Sequence, residues 1–221
     1  MNDIIQIIQS ISILVGIWVG IATLGIWRQE FISKRRIELA EEWLASIYAF
    51  KDSIWNMRNP LSSTAESASR PKTEKELSDS PEIVKAKDQG YVFYARYNTA
   101  KEYIVGFFKL KYTTMARFGK PAEEIYSEAN KLWNDLIWGA DIMRDHWFEK
   151  ATRPERKIAE SEELLIEQAT ALISRISNDD AVDKRLATII QKVETEVKNI
   201  TEEKYSLADI LNLPLFKKGN R

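Results

Sequence analysis

Length, composition and charge exclude several classes of protein. The chain has 221 residues, of which 44% are hydrophobic, enough to bury one ordinary domain in addition to a terminal segment. Its 32 basic and 33 acidic side chains give a net charge of −1, so we expect no nucleic-acid partner. The absence of cysteine excludes disulfides, thiolate metal sites and cysteine nucleophiles. Few glycines and prolines, with apolar residues at helical spacing, predict an all-α protein.

The N-terminal segment is the most hydrophobic part of the chain, and no charged residue lies between Asp3 and Arg28. About 24 helical residues at ~1.5 Å each reach ~36 Å, enough to cross a hydrocarbon core of ~30 Å. A cleaved signal peptide would have a basic start, and a buried core helix is the other alternative. We interpret residues 1–27 as an uncleaved transmembrane anchor in contact with the lipid bilayer.

Basic residues directly follow this span. They favour a topology with the N-terminus outside and the C-terminal domain in the cytoplasm. Contact with anionic lipid headgroups is a second role for the cluster, and Trp27 lies where an interfacial aromatic residue is expected. The predicted interface and topology residues are Trp27, Arg28, Lys34, Arg35 and Arg36.

Small and polar residues recur every three or four positions within the span. Gly16 and Gly20 form a GxxxG pair, which lets two helix backbones approach closely, although glycine is common in such spans by chance. We expect this face to support self-association. The predicted packing residues are Gln9, Ser12, Gly16, Gly20 and Thr23.

The helical pattern continues beyond the span. Trp43, Ile47, Phe50, Ile54 and Met57 form one apolar stripe, predicting a juxtamembrane helix over 28–58 that packs on a soluble bundle. Residues 59–80 read as a flexible loop, residues 81–204 as the helical bundle and residues 205–221 as a tail. We expect about five helices in all. After the first, they are predicted from Ser80-Pro81 to near Gly119, from Pro121 to before Arg153-Pro154, over about 155–177, and after Asn178-Asp179-Asp180.

Two patterns in the bundle allow alternative interpretations. An aromatic run over residues 91–112 could form a base-stacking or ligand-binding surface, but core packing is favoured. A near-heptad seam in the last helix is interpreted as intramolecular packing in preference to an intermolecular coiled coil. The seam residues are Val182, Leu186, Ile189, Val193, Val197 and Ile200.

No pattern in the sequence predicts a catalytic or metal site. The single histidine, His146, has Asp141 and Glu149 nearby, but no HExxH motif or second histidine accompanies it. Phosphate-binding and nucleophile-elbow motifs are also absent. We therefore expect no metal, no cofactor and no enzymatic activity.

The stretch Ile37-Glu38-Leu39-Ala40-Glu41-Glu42-Trp43-Leu44, then Ile47-Tyr48 and Arg58-Asn59-Pro60-Leu61, carries a family resemblance. It resembles an uncharacterised family of bacterial single-pass, membrane-anchored α-helical proteins, and the likeness centres on residues 15–61. The resemblance implies an inner-membrane anchor and a bacterial origin, with no activity to transfer.

The leading functional hypothesis is a membrane-anchored helical interaction or scaffold module whose partner is an unidentified protein, including a second copy of itself. The alternative is a membrane-acting effector, such as a toxin or host-defence protein, that oligomerises through its transmembrane helix. An enzyme is the third hypothesis.

Overall fold

The computed structural model describes residues 2–61, 65–175 and 180–202, and all regular structure within these ranges is helical. The all-α prediction is therefore confirmed. The described α-helices are α1 (Asn2–Met57), α2 (Pro81–Lys109), α3 (Lys111–Phe118), α4 (Lys120–Thr152), α5 (Glu160–Ile173) and α6 (Ala181–Glu202), with short 3-10 helices at Glu66–Ser69 and Glu74–Ser78. Contacts divide the described residues into two compact units, one of residues 2–41 with 197–202 and one within residues 42–196. The predicted tail over 205–221 lies outside the described residues.

The second half of α1 supplies one wall of the core of the 42–196 unit. The predicted stripe from Trp43 to Met57 is buried, with each of its five apolar residues at most 2% exposed. No proline interrupts the helix, so the stripe keeps its register along a single face. The predicted α1 stripe is confirmed.

Aromatic rings fill the centre of this unit. Trp43 stacks on Phe118 with ring centroids 5.7 Å apart and on Tyr126 at 6.0 Å. Phe107 lies 4.8 Å from both Phe50 and Tyr126. The Tyr126 hydroxyl donates to the Phe107 carbonyl at 3.2 Å, and burial raises the pKa of Tyr126 to about 12. These rings connect α1, α2, α3 and α4 in one core.

The predicted second helix is interrupted at Leu110. The Leu110 amide donates to the Phe107 carbonyl three residues back, and the Tyr126 hydroxyl donates to the same carbonyl. The regular i to i−4 hydrogen-bond ladder therefore stops there. Helix α3 then ends at Gly119, whose φ of 69° favours glycine. The chain restarts as α4 at Lys120, with Pro121 in its first turn as predicted.

Helix α5 is shorter than the predicted 155–177. Arg156 lies in the connection before it and pairs with Glu149 at 2.6 Å and Glu162 at 2.8 Å. These pairs tie the connection to the end of α4 and the start of α5. The helix ends at Ile173, where a buried guanidinium donates hydrogen bonds to the last carbonyls of α5.

That guanidinium belongs to Arg58, which is fully buried just past the end of α1. Its Nε donates to the Leu172 carbonyl at 2.6 Å, and its Nη2 donates to the carbonyls of Ala171 at 2.9 Å and Ser174 at 3.3 Å. In return, the Arg58 carbonyl accepts from the Arg175 amide at 2.8 Å. Arg58 thus satisfies carbonyls at the C-terminus of α5 that have no partner within the helix.

Two carboxylates complete the surroundings of Arg58. Asp180 lies 2.7 Å from its Nη2, and Asp183 lies 3.3 Å from its Nη1. Asp183 also accepts from the Trp55 indole at 3.1 Å and from Arg175 at 2.7 Å. Burial opposes ionisation of Asp180, but Arg58 and two backbone amides outweigh it and hold the pKa of that carboxyl below its ordinary value.

Asp180 is also the N-cap of α6, because its Oδ1 accepts from the amides of Val182 at 2.8 Å and Asp183 at 3.2 Å. The cap prediction is confirmed for Asp180, whereas Asn178 and Asp179 lie outside the described residues. The predicted seam from Val182 to Val193 is buried. Within the 42–196 unit, that burial supports intramolecular packing.

The segment predicted as a flexible loop, residues 59–80, contains the two short 3-10 helices and is bonded to α2. Arg96 donates to the carbonyls of Met57, Asn59 and Leu61 and pairs with Glu66 at 2.9 Å. One arginine of α2 thereby binds the end of α1 and the first part of the segment. The composition of residues 59–80 alone did not indicate these contacts.

We expect Arg58→Met to lower the free energy of unfolding by about 3–5 kcal/mol, because it removes a buried cation from two carboxylates and the donor from carbonyls at the end of α5. The matched control is Arg156→Met, which removes another guanidinium with two carboxylate partners, but an exposed one, and should lower the free energy of unfolding far less, because water screens the pairs. Urea unfolding of the full chain in dodecyl maltoside, followed by circular dichroism at 222 nm, compares the two. Equal losses would contradict the role assigned to Arg58.

A pair of glycines tests how closely α4 and α5 approach. A Cβ at Gly139 would lie 3.0 Å from the Leu172 Cβ and 3.2 Å from the Ala169 carbonyl, whereas a Cβ at Gly106 of α2 meets nothing within 4 Å. We expect Gly139→Ala to destabilise the protein by about 1–3 kcal/mol through overpacking. Gly106→Ala should stabilise it by about 0.5–1 kcal/mol through helix propensity. The same urea titration measures both, and a stabilising Gly139→Ala would refute the close approach.

Candidate membrane-spanning helix and its packing face

Helix α1 is the one described helix that is long and apolar enough to cross a membrane. Its most apolar 18-residue window has a mean hydropathy of 1.9, and none of that window is buried. A signal sequence and a core helix of a soluble protein pass the same hydropathy test, and the core helix differs in being mostly buried. The exposed large apolar residues of this part of α1 include Ile11, Ile13, Leu14, Ile17, Trp18, Ile21, Leu24 and Ile26.

The five predicted packing residues share one face of this helix. At ~100° per residue, Gln9, Ser12, Gly16, Gly20 and Thr23 fall within an arc of about 80°. All five are exposed. A Cβ built on Gly16 or Gly20 meets no heavy atom within 4 Å, so the backbone at both glycines is open to an approaching helix.

Two hydroxyl groups of the span, those of Ser10 and Thr23, bond to their own helix. The Thr23 Oγ1 donates to the Val19 carbonyl at 2.8 Å, and the Ser10 Oγ donates to the Gln6 carbonyl at 2.9 Å. Each donor is satisfied four residues back, which lowers the cost of placing it in hydrocarbon. Thr23 can therefore act as a small residue on the packing face without needing a polar partner.

The predicted interface residues surround the end of the apolar stretch. Trp27 and Phe31 stack with centroids 6.2 Å apart, and the Arg35 guanidinium lies 5.6 Å from the Phe31 ring. Arg35 also lies 3.4 Å from Glu38. Arg28 and Lys34 are exposed, and Arg36 is half-buried. The structure thus gives an aromatic pair followed by a basic flank along the helix, the order found at membrane interfaces.

His146 does not belong to a metal-binding constellation in the part of the chain that the structure describes. Within those ranges, no group of three or more His, Cys, Asp or Glu side chains is placed to hold a metal ion. His146 itself is half-buried on α4.

The aromatic run of α2 and α3 has divided roles. Phe93 and Phe107 are core residues, as expected, while Tyr103 and Tyr112 are exposed. Tyr91, Tyr94 and Tyr97 instead line a cavity beside α4. Core packing therefore describes only part of the run.

Several polar residues with structural roles were not identified from the sequence. Arg58 lies four residues after Ile54 and so continues the apolar stripe of α1. A charge at such a position indicates a buried, paired side chain. Arg70 and Arg96 carried no comparable signal, because their partners Glu76, Asp88 and Glu66 become neighbours only when the segment folds against α2.

Comparison with known proteins gives no relative for this chain. No family model matches it, and neither the curated proteins nor the solved structures contain a significant match.

Proposed function

We propose that the protein is a single-pass membrane protein whose helical domain is an interaction or scaffold module and whose span, residues 1–27, supports self-association. The observation that carries the proposal is the apolar window of α1, with a mean hydropathy of 1.9 and none of its residues buried. A bacterial inner membrane is the proposed location, on the basis of the family resemblance.

The hydrophobic effect supports a membrane location. Leu14 and Leu24 are each 66% exposed, and they are surrounded by further exposed branched apolar residues. Apolar surface left in water costs about 25 cal/mol per Å² relative to burial, so a contiguous window of this kind needs an apolar environment. A lipid bilayer supplies that environment along the entire helix circumference.

The basic flank supports an orientation. Arg28, Lys34, Arg35 and Arg36 follow the span, while no basic side chain precedes it. Basic residues are retained on the cytoplasmic side during insertion. We therefore place the N-terminus outside and the C-terminal domain in the cytoplasm.

The open glycine face supports self-association. In lipid, helices associate through close packing and interhelical hydrogen bonds, both of which small residues favour. The Gln9 side chain lies on the same face, and an amide in an apolar environment gains free energy from a partner on a second helix. A second copy of α1 offers both the complementary glycine face and the second amide.

The 42–196 unit supports a binding role over catalysis. Its buried charged groups are used to hold helices together, with Arg58 joining α5 and α6 and Arg96 joining the end of α1 to the following segment.

The effector alternative differs from the scaffold in what the span must do, since an effector has to assemble spans into a lesion. Leakage of liposome contents therefore distinguishes the two functions.

Topology is tested with two reporters fused after Arg221. Because the basic flank should remain inside, we expect a reporter that is active only in the cytoplasm to give signal and one that is active only outside to be silent. A variant in which Asn replaces all four basic residues, Arg28, Lys34, Arg35 and Arg36, should show a weaker preference for the cytoplasmic orientation. The opposite reporter pattern in the unaltered protein would overturn the proposed orientation.

The packing face is tested with Gly16→Ile/Gly20→Ile. We expect insertion to persist and self-association to weaken by at least tenfold, because branched side chains block close backbone approach. Gly25→Ile is the matched control, since at ~100° per residue Gly25 lies about 160° around the helix from Gln9. Energy transfer between donor- and acceptor-labelled copies in liposomes measures association.

Release of an entrapped dye from the same liposomes separates the scaffold from the effector. We expect no leakage from the unaltered protein, and retention of the soluble-domain partners by the double variant in copurification. Leakage from the unaltered protein that the double substitution abolishes would replace the scaffold function with the effector function. Equal energy transfer in all variants would remove the packing face from the proposal.

A further inference from the structure

One side of α1, directly after its most apolar stretch, carries aromatic and basic residues together. At ~100° per residue, five exposed residues fall within an arc of about 120° centred on Phe31. Ala40, which lies on the opposite side of the helix, is fully buried. The exposed residues therefore point away from the packed side of α1. They are Trp27, Arg28, Phe31, Lys34 and Arg35, and we call them the basic–aromatic face.

Two rings form the centre of the basic–aromatic face. Trp27 is 64% exposed and Phe31 is 53% exposed, and the two rings stack with centroids 6.2 Å apart. Aromatic side chains at the end of an apolar span are typical of the boundary between hydrocarbon and lipid headgroups. The stacked rings therefore place this part of the helix at headgroup level when the span is in a bilayer.

The cations lie on both sides of the rings. At ~100° per residue, Lys34 lies about 60° to one side of Phe31 and Arg28 about 60° to the other. The Arg35 guanidinium lies 5.6 Å from the centroid of the Phe31 ring. Long basic side chains run along apolar surface while their charged ends reach the headgroups. Three positive charges thus surround the rings at the level of the lipid phosphates.

The local charge is positive when the carboxylates are counted as well. Residues 28–38 contain four basic and two acidic side chains, a net charge of +2. The two acids are Glu30 and Glu38. Glu38 lies 3.4 Å from Arg35, but both side chains are exposed, and such a pair contributes little and does not fix the guanidinium in place.

The order of the charges along α1 also matches a negative surface. Basic residues begin at Arg28, whereas Glu41 and Glu42 follow ~20 Å further along the helix at ~1.5 Å per residue. The potential of an anionic membrane falls off within a Debye length of ~10 Å, so the charges nearest the span contribute most. In the same unit, Lys198 and Glu202 of α6 pair with each other at 3.9 Å and add no net charge.

We propose that the basic–aromatic face binds the headgroups of anionic phospholipids, with Arg28, Lys34 and Arg35 beside the phosphates. Trp27 and Phe31 lie against the upper part of the acyl chains. The inference rests on the proposed membrane-spanning function and adds a lipid class to it. A neutral bilayer accommodates the apolar window equally well, so the three cations are what distinguishes one lipid from another.

Brominated lipids test this preference on the full chain. The chain has no cysteine, so Ile32→Cys, beside the face, provides a single site for a bimane fluorophore. The labelled protein is reconstituted in vesicles of one part phosphatidylglycerol to four parts phosphatidylcholine. Bromine is carried by the phosphatidylglycerol in one set and by an equal amount of phosphatidylcholine in the other, so the overall charge is the same. Phosphatidylglycerol is present in both leaflets, which makes the result independent of orientation.

We expect brominated phosphatidylglycerol to quench bimane at least threefold more strongly than brominated phosphatidylcholine at ~0.1 M salt. The ratio should approach one at ~1 M salt, because the attraction is electrostatic. Equal quenching at low salt would overturn the lipid preference and leave the membrane span intact. Absence of quenching by either lipid would overturn the proposed span and this inference with it.

Variants assign the preference to the basic–aromatic face. Arg28→Gln/Lys34→Gln/Arg35→Gln should bring the quenching ratio close to one without changing the quenching by brominated phosphatidylcholine. Arg28→Lys/Arg35→Lys keeps the charge and should keep the preference. A threefold ratio that persists in the triple Gln variant would refute the face.

The matched control removes the same charge elsewhere. Lys101→Gln/Lys120→Gln/Arg153→Gln replaces three exposed cations of the 42–196 unit. This variant should keep the full quenching ratio, because these residues are not part of the face. An equal loss in the control and in the triple Gln variant would show that only the total charge matters, and would also refute the face.

Discussion

The buried guanidinium of Arg58 is the interaction on which the 42–196 unit depends. It lies just past the end of α1, donates hydrogen bonds to the last carbonyls of α5 and pairs with Asp180, which is itself the N-cap of α6. Three helix termini thus share one side chain. Each terminus has polar groups that its own helix cannot satisfy, and a guanidinium with five donors in a fixed plane can serve several of them at once. Removing it would leave carbonyls at the end of α5 without this donor and Asp180 without its cation.

Two further arginines join separate parts of the chain in the same way. Arg96 binds the carbonyls at the end of α1 and the Glu66 carboxylate, and Arg70 joins Glu76 to Asp88. These arginines organise a segment whose composition has too few apolar residues to form a core of its own. Polar bonds therefore define the surface at which α2 meets the 3-10 helices, while aromatic stacking around Tyr126 defines the interior. One neighbouring cavity, beside α2 and α4, is lined by both elements, rings and arginines.

The N-terminal part of α1 follows a different physical rule. Its apolar residues are exposed on all sides, and the hydroxyl groups of Ser10 and Thr23 are bonded within the helix. Such a surface suits lipid, where backbone groups must be satisfied internally and small residues determine where helices meet. No heavy atom lies within 4 Å of a Cβ built on Gly16 or Gly20, and in the proposed function a second helix packs there. In the proposed function, the span therefore contributes to assembly as well as anchoring.

The sequence by itself determined the all-α class, the apolar span, the buried stripe from Trp43 to Met57 and the seam of α6, because hydropathy and helical periodicity are local properties. It also identified Asp180 within the cap of α6. Only the tertiary structure decided the interruption at Leu110, the shorter α5 and the cavity beside Gly90. Each of these depends on a contact between residues far apart in the chain: Tyr126 with the Phe107 carbonyl, Arg58 with the end of α5, and Arg144 with the α2 backbone. Periodicity shows which face of a helix is buried, but the residue it meets there is set by the packing of the helices.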